Sequence, residues 1–269
     1  PDVFAQNLVR WKYVEQLGYK TESEARGLFH GFVITYHQVE VYKPLTLEGM
    51  KSDIKAGEIA DTTCYRALRG NIDFSDQLVC IDMTGSMSPY YLQVLTWLHL
   101  RDSDKALPFT FFNDGDAKWD EMKRIGEVGG IYMCNSNDID TVITTAYRCI
   151  FGGCGGDCPE NNMEAAIKGL KKYPSCKQVV MVADNWAPMR DYALIDQVKV
   201  PVHVIVCGTS YAGITTSINP HYLDLARRTG GSVSTMEEQI TDLSKYKEGE
   251  EFTISGSKYV VRRGVVTAK

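Results

Sequence analysis

Four short runs do most to limit what this chain can become: "QLVCI" (77–81), "LPFTFFN" (107–113), "QVVMVA" (178–183) and "VHVIVCG" (202–208). Each is apolar almost throughout instead of alternating, which is the pattern of a strand covered on both faces. "GIYMC" (130–134) and "GSVST" (231–235) read as two further strands. Stretches with helical spacing lie between them. Tyr91, Leu92, Leu95 and Leu98 follow an N-cap and first-turn proline at Ser88-Pro89. "DIDTVITTAYRCIF" (138–151) is a second helical stretch, and Met163, Ala166, Ile167 and Leu170 form the apolar stripe of a third. Asn219-Pro220 opens a fourth, which Gly230 closes. Strands alternating with helices predict an α/β fold: a doubly wound, mostly parallel sheet with helices on both faces, spanning about 75–246.

The flanks read differently. Residues 1–74 carry a helical stretch at 2–17 and the strand-like "GFVITYHQVEVY" (31–42), while 247–269 reads as a β-hairpin turning at Gly256-Ser257. The simplest expectation joins both flanks in a small accessory β-containing unit. The whole chain has 269 residues, room for one large core or a standard domain with a small companion.

A net charge of −5 argues against nucleic acid as the main partner, because phosphate binding needs a basic stripe. No apolar run approaches the ~18 residues that suggest a membrane span. Eight cysteines in a chain of this length do not make a disulfide-dense domain, so the reading leans to a reducing, cytoplasmic setting. With Pro1 in place of Met, the chain reads as trimmed, processed or incomplete, and a lost leader stays open. Self-assembly is not readable from these features.

In an open parallel sheet, ligands bind beyond the carboxyl ends of the strands. Three polar clusters sit there. "DMTGSMS" follows the first strand, with Asp82, Thr84 and Ser86 at alternate positions. "ADNWAP" ends the strand at 178–183 with Asp184. The third is "GGCGGDCPENN" (152–162), leading into a helix. Residues two apart can project toward one point, so a carboxylate and two hydroxyls can converge, and oxygen-only ligation suits hard cations such as Mg²⁺. Alternatives stand beside that reading. Thr84 and Ser86 can cap the next helix, and Glu160 can be a first-turn acid. Cys154 and Cys158 can pair or bind zinc, although a lone Cys-x-x-x-Cys is weak for that. No Gly-Lys-Ser/Thr follows the glycines, which excludes a Walker loop.

The run Asp82-Met83-Thr84-Gly85-Ser86-Met87 resembles the DxSxS element (often DxTGSM) of the von Willebrand factor A domain family, which opens its metal-ion-dependent adhesion site. "GGDCPENNMEAAIKGL" resembles the second metal loop of members with a G-G-D-x-P-E run, and "VVMVADN" the strand and aspartate that close the site. The ordered trio spans roughly 75–246. The resemblance implies metal contacts from Asp82, Thr84, Ser86 and Asp184, with Glu160 as second-loop ligand and Asp157 as a supporting acid. The chain lacks the second-loop threonine that many members use, and Asn185 stands where a glycine commonly follows the last aspartate.

The implied function is a non-enzymatic, Mg²⁺-dependent protein-binding module (Mn²⁺ or Ca²⁺ also fit) whose cation accepts an Asp or Glu from a partner protein. Trp186 and Asn185 would form the rim where that partner docks. A metal-dependent phosphoester hydrolase using Asp82 is the alternative, disfavoured because Thr84 stands where one phosphatase class needs an acid. A degenerate, metal-free scaffold is the third.

Overall fold

The computed structural model describes residues 46–56, 76–88, 90–100, 105–153, 159–208, 210–211, 214–215, 217–235 and 238–269. The expected elements at 2–17 and 31–42 lie outside these residues, as do Asp157, Cys154 and Cys158.

A helix at Leu47–Ala56 (α1) precedes the first strand, Gln77–Asp82 (β1). Then follow Tyr91–Leu100 (α2), Leu107–Phe112 (β2), Ile131–Ser136 (β3), Ile139–Gly152 (α3), Asn162–Lys172 (α4) and Gln178–Asp184 (β4). Val202–Cys207 (β5), a small hairpin of Ser210–Tyr211 (β6) and Ile214–Thr215 (β7), and Pro220–Thr229 (α5) come next. Ser232–Ser234 (β8), Gln239–Ile240 (β9), Glu251–Ile254 (β10), Ser257–Arg262 (β11) and Val265–Ala268 (β12) complete the order. No helix among the described residues is long and apolar enough to cross a membrane.

The main sheet has seven strands in the order β3-β2-β1-β4-β5-β8-β9. β2, β1, β4, β5 and β8 are parallel, and the edge strands β3 and β9 pair antiparallel. Order reverses between β1 and β4, since β1 leads outward to β2 on one side while β4 leads to β5 on the other. That reversal opens a crevice at the carboxyl end of the sheet.

Period-two geometry explains why the central strands are apolar throughout. Leu78 and Cys80 of β1, with Val179, Met181 and Ala183 of β4, face one layer, which Met163 and Ala166 of α4 and Leu223 and Ala226 of α5 cover. Val79, Ile81, Val180 and Val182 face the opposite layer, built by Met50 and Ile54 of α1, Val94 and Leu95 of α2, and Ile143 and Ala146 of α3. Both faces are buried, so an unpaired polar residue on either would be costly. α1 therefore belongs to the core layer, although the sequence reading put it in the flank.

The C-terminal hairpin expected at 247–269 is a three-stranded antiparallel sheet, β10-β11-β12. Its turns fall at Ser255-Gly256 (φ 47° and 81°) and Arg263-Gly264 (φ 53° and 76°). Left-handed backbone at both central positions is the tight-hairpin geometry that suits the twist of the strands. Phe252, Ile254, Tyr259, Val261 and Val266 share one apolar cluster with α5. Asp224 of α5 accepts the Val266 N–H at 3.1 Å, and Tyr259 Oη accepts the Ile218 N–H at 2.7 Å. This sheet is thus a buttress of α5.

Candidate functional site

At the carboxyl end of β1 the chain turns through a short 3₁₀ segment, Gly85–Met87. Asp82 is fully buried and Thr84 nearly so, while Ser86 is exposed. Thr84 donates twice to Asp82 Oδ1, from its N–H at 2.8 Å and its Oγ1 at 2.7 Å. Thr84 Oγ1 lies 3.2 Å from Ser86 Oγ, and Ser86 Oγ donates to Asp184 Oδ2 at the end of β4. Alternate positions on one turning strand, together with the strand beside it, thus bring Asp82, Thr84, Ser86 and Asp184 into one chain of oxygens. The chain runs from the buried floor to the solvent-facing Ser86 and straddles the switch point.

Protons are short in that chain. Three close oxygen–oxygen contacts link the four side chains. With both carboxylates ionised, the two hydroxyls supply one proton each. Asp82 Oδ2 is buried and has no hydrogen-bond partner among the described residues. Burial, with the Asp184 carboxylate adding to it, pushes the Asp82 carboxyl up to about 8. A proton on Asp82 or a cation among these oxygens relieves the shortage. The donor set is oxygen only, which matches a hard cation and not a thiol- or imidazole-seeking one.

The third loop enters differently from the expectation. Glu160 is buried, and its backbone forms a parallel bridge with Met189. Arg190 N–H donates to Glu160 O at 2.8 Å, and Arg190 Nη2 donates to Pro159 O at 3.0 Å. Among the described residues no three Asp, Glu, His or Cys side chains converge as a metal site, so Glu160 does not form a three-acid cluster with Asp82 and Asp184. It remains in their electrical neighbourhood. The Tyr222 hydroxyl, which donates to Asp184 O at 2.9 Å, is held well above its usual range first by burial and then by Asp184, Asp82 and Glu160.

The two rim residues part company. Trp186 is 62% exposed, and its N–H donates to Asp184 Oδ1 at 2.7 Å, which orients that carboxylate. Asn185 is 2% exposed. Its Nδ2 donates to Ser217 O at 2.7 Å and its Oδ1 accepts the Asn219 N–H at 2.9 Å. Asn185 therefore does not face a partner, because both ends of its amide anchor the segment leading into α5.

Sequence reasoning missed the supports beneath the site. Asp114, two residues past the end of β2, is buried with φ 63°. It pairs with Lys123 Nζ at 2.8 Å and Arg190 Nη2 at 3.1 Å, and Arg190 in turn carries the Pro159–Glu160 backbone. Asp191 caps α4 from outside the helix, accepting the Met163 N–H at 3.1 Å and the Glu164 N–H. Glu164 ties α4 to the loop before β3 by accepting Val128 N–H at 2.8 Å and Gly129 N–H at 3.1 Å. The place of Asp114 just beyond the end of β2 was the available signal, but Arg190 lies 76 positions away.

Strand order and site together define a doubly wound α/β domain with a chain of oxygen-bearing side chains at its switch point. A solved structure described as von Willebrand factor type A from Catenulispora acidiphila is similar, with a TM-score of 0.39 and 14% identity. The match covers 60% of this chain and 38% of that one, so the present chain spans well under half of that protein's length. The sequence matches no protein-family model and no curated protein.

Proposed function

We propose that the pocket formed by Asp82, Thr84, Ser86 and Asp184 binds a hard divalent cation, Mg²⁺ foremost with Mn²⁺ or Ca²⁺ as substitutes. On this reading the domain is a non-enzymatic binding module, and an Asp or Glu from a partner protein completes the shell of the bound cation. The observation that carries the reading is the buried, partnerless Asp82 Oδ2 beside a second carboxylate, in an oxygen chain with too few protons. Bound cation supplies electrostatic attraction for a partner carboxylate. The chain's own residues do the rest: Thr84 orients Asp82, the Trp186 N–H orients Asp184, and exposed Ser86 leaves the pocket open to solvent. The resemblance of "DMTGSM", "GGDCPE" and "VVMVADN" to the adhesion-site elements of the von Willebrand factor A family supports the same assignment. Exposed Trp186, one residue past Asn185 and two past Asp184, supplies apolar surface at the pocket's edge.

Thermal melting with Mg²⁺ or Mn²⁺ against chelator tests this for the wild type and Asp82→Ala. A cation at a hundredfold its Kd adds about 2.7 kcal/mol to the native state. For a domain this size that raises Tm by roughly 5–10 °C. Asp82→Ala should lose the rise. A wild-type melt indifferent to cations refutes the site, and cation-dependent turnover of a generic phosphate ester would favour the hydrolase reading instead.

A further inference from the structure

We propose that Asn162, at the first turn of α4, is the oxygen donor this helix contributes to the cation site, a step that rests on the reading of the pocket given above. Asn162 is fully buried, and among the described residues neither Oδ1 nor Nδ2 makes a hydrogen bond of normal geometry. Buried carboxamides are nearly always paired, so an unpaired one points to something that binds there. Its surroundings say what. The carboxamide lies beside the Tyr222 hydroxyl, outside hydrogen-bonding geometry, and that hydroxyl donates to Asp184 O at 2.9 Å. Asn162 thus stands one side chain away from the residue that closes the pocket.

The helix runs the right way to deliver it. Gly169 meets the sheet at Leu78, where an added Cβ would lie 2.5 Å from Leu78 Cδ2. Going back from Gly169 to Asn162 climbs about 10 Å of helix. Going from Leu78 to Asp82 climbs about 13 Å of strand. At the top, Glu164 and Asn161 hold the Val128–Gly129 backbone, which leads into the β3 residue paired with Phe112 at the carboxyl end of β2. The start of α4 and the end of β1 therefore reach the same edge of the sheet. A helix N-terminus by itself favours anions. Here Asp191 already takes the Met163 and Glu164 N–H groups, so the group this first turn can offer a cation is the Asn162 carboxamide oxygen.

Charge favours an amide over a third acid. A divalent cation with Asp82 and Asp184 is a neutral unit, and Asn162 keeps it neutral. Glu160 as a ligand would make the unit anionic and oppose an incoming partner carboxylate.

The test uses the whole chain, with Mn²⁺ affinity measured by electron paramagnetic resonance and the metal-free Tm measured in chelator. Asn162→Ala should bind Mn²⁺ about tenfold more weakly, the loss typical of removing a group that shapes a metal site. Its metal-free Tm should equal or exceed that of the wild type, because an unpaired buried amide has gone. Glu160→Gln should lose less affinity than Asn162→Ala. Asn162→Asp keeps the shape and the ligating oxygen and adds a negative charge, so it should hold Mn²⁺ at least as tightly as the wild type while melting lower without it. Unchanged affinity in Asn162→Ala overturns the proposal, as does a metal-free Tm that falls in step with affinity, which marks a structural role. A larger loss in Glu160→Gln, or weakened binding in Asn162→Asp, also overturns it. Wild-type protein that binds no Mn²⁺ brings down the cation reading itself, an outcome distinct from all of these.

Discussion

Replacing Asp191 by Asn separates two forces that act on one buried carboxyl. Burial raises its pKa from 3.8 to about 7, against the pull of the Met163 and Glu164 N–H groups, while Glu164 adds to the rise. Between those values the folded protein keeps a proton that the unfolded chain has released. Stability therefore falls as pH rises through that window and levels off above pH 7 or so. A shift of about 3 units at 1.36 kcal/mol each amounts to roughly 4 kcal/mol in full. About 2.5 kcal/mol of it falls between pH 5 and pH 8. With a urea m-value of about 2–3 kcal/mol per M, the wild-type midpoint should drop by about 1 M over that range from this residue alone. The carboxamide of Asp191→Asn has no proton to lose and caps α4 with one oxygen, so the variant should be about 1–2 kcal/mol weaker at pH 5. By pH 8 the two proteins should meet or cross. His203 and His221 are both lowered by burial and titrate with the opposite sign, but they are common to both proteins and cancel in the difference. Urea unfolding followed by tryptophan fluorescence at pH 5 and pH 8 reads the effect. A wild-type-minus-variant difference that stays constant with pH refutes the reasoning. It would mean that two amide donors and the α4 N-terminus keep Asp191 ionised despite its burial.

Two further changes test the packing. Gly169→Ala places a methyl 2.5 Å from both Leu78 Cδ2 and Thr110 Oγ1, so α4 must lift from the sheet. Overpacking of about 1–3 kcal/mol should outweigh the gain of about 1 kcal/mol in helix propensity, and a rise in Tm would count against the close approach. Tyr259→Phe removes the hydroxyl that accepts the Ile218 N–H at 2.7 Å and donates to Ile218 O at 3.2 Å, inside a fully buried site. Chemical denaturation should register a loss of about 1–3 kcal/mol, and a loss below about 0.5 kcal/mol would show that the C-terminal sheet does not depend on this tie.

Much of the site was legible because its chemistry is local. Asp82, Thr84 and Ser86 share one turn at the end of β1, and the two-residue spacing that brings them together is a property of extended backbone. Asp184 was legible as the acid that ends an apolar strand. Asn185 was misread because its burial depends on Ser217 and Asn219, more than thirty positions away. Asn162 passed as an ordinary helix start, since a missing hydrogen bond cannot be seen in a string of residues. Asp114 carried no signal of its own, because only the fold brings Lys123 and Arg190 to it.

By itself, then, the sequence determined the strands, the helices and the polar caps at their ends. Each follows from a period of two or 3.6 residues and from side chains a few positions apart. The tertiary structure alone decided that β1 and β4 are neighbours, so that Asp82 and Asp184 join one chain of hydrogen-bonded side chains. It also decided that β3 runs antiparallel and that the C-terminal strands lean on α5. Those outcomes depend on which apolar faces bury one another and which distant donors meet a buried acceptor. Such pairings are set by the competition among all the surfaces of the chain, and no short stretch of it records the result.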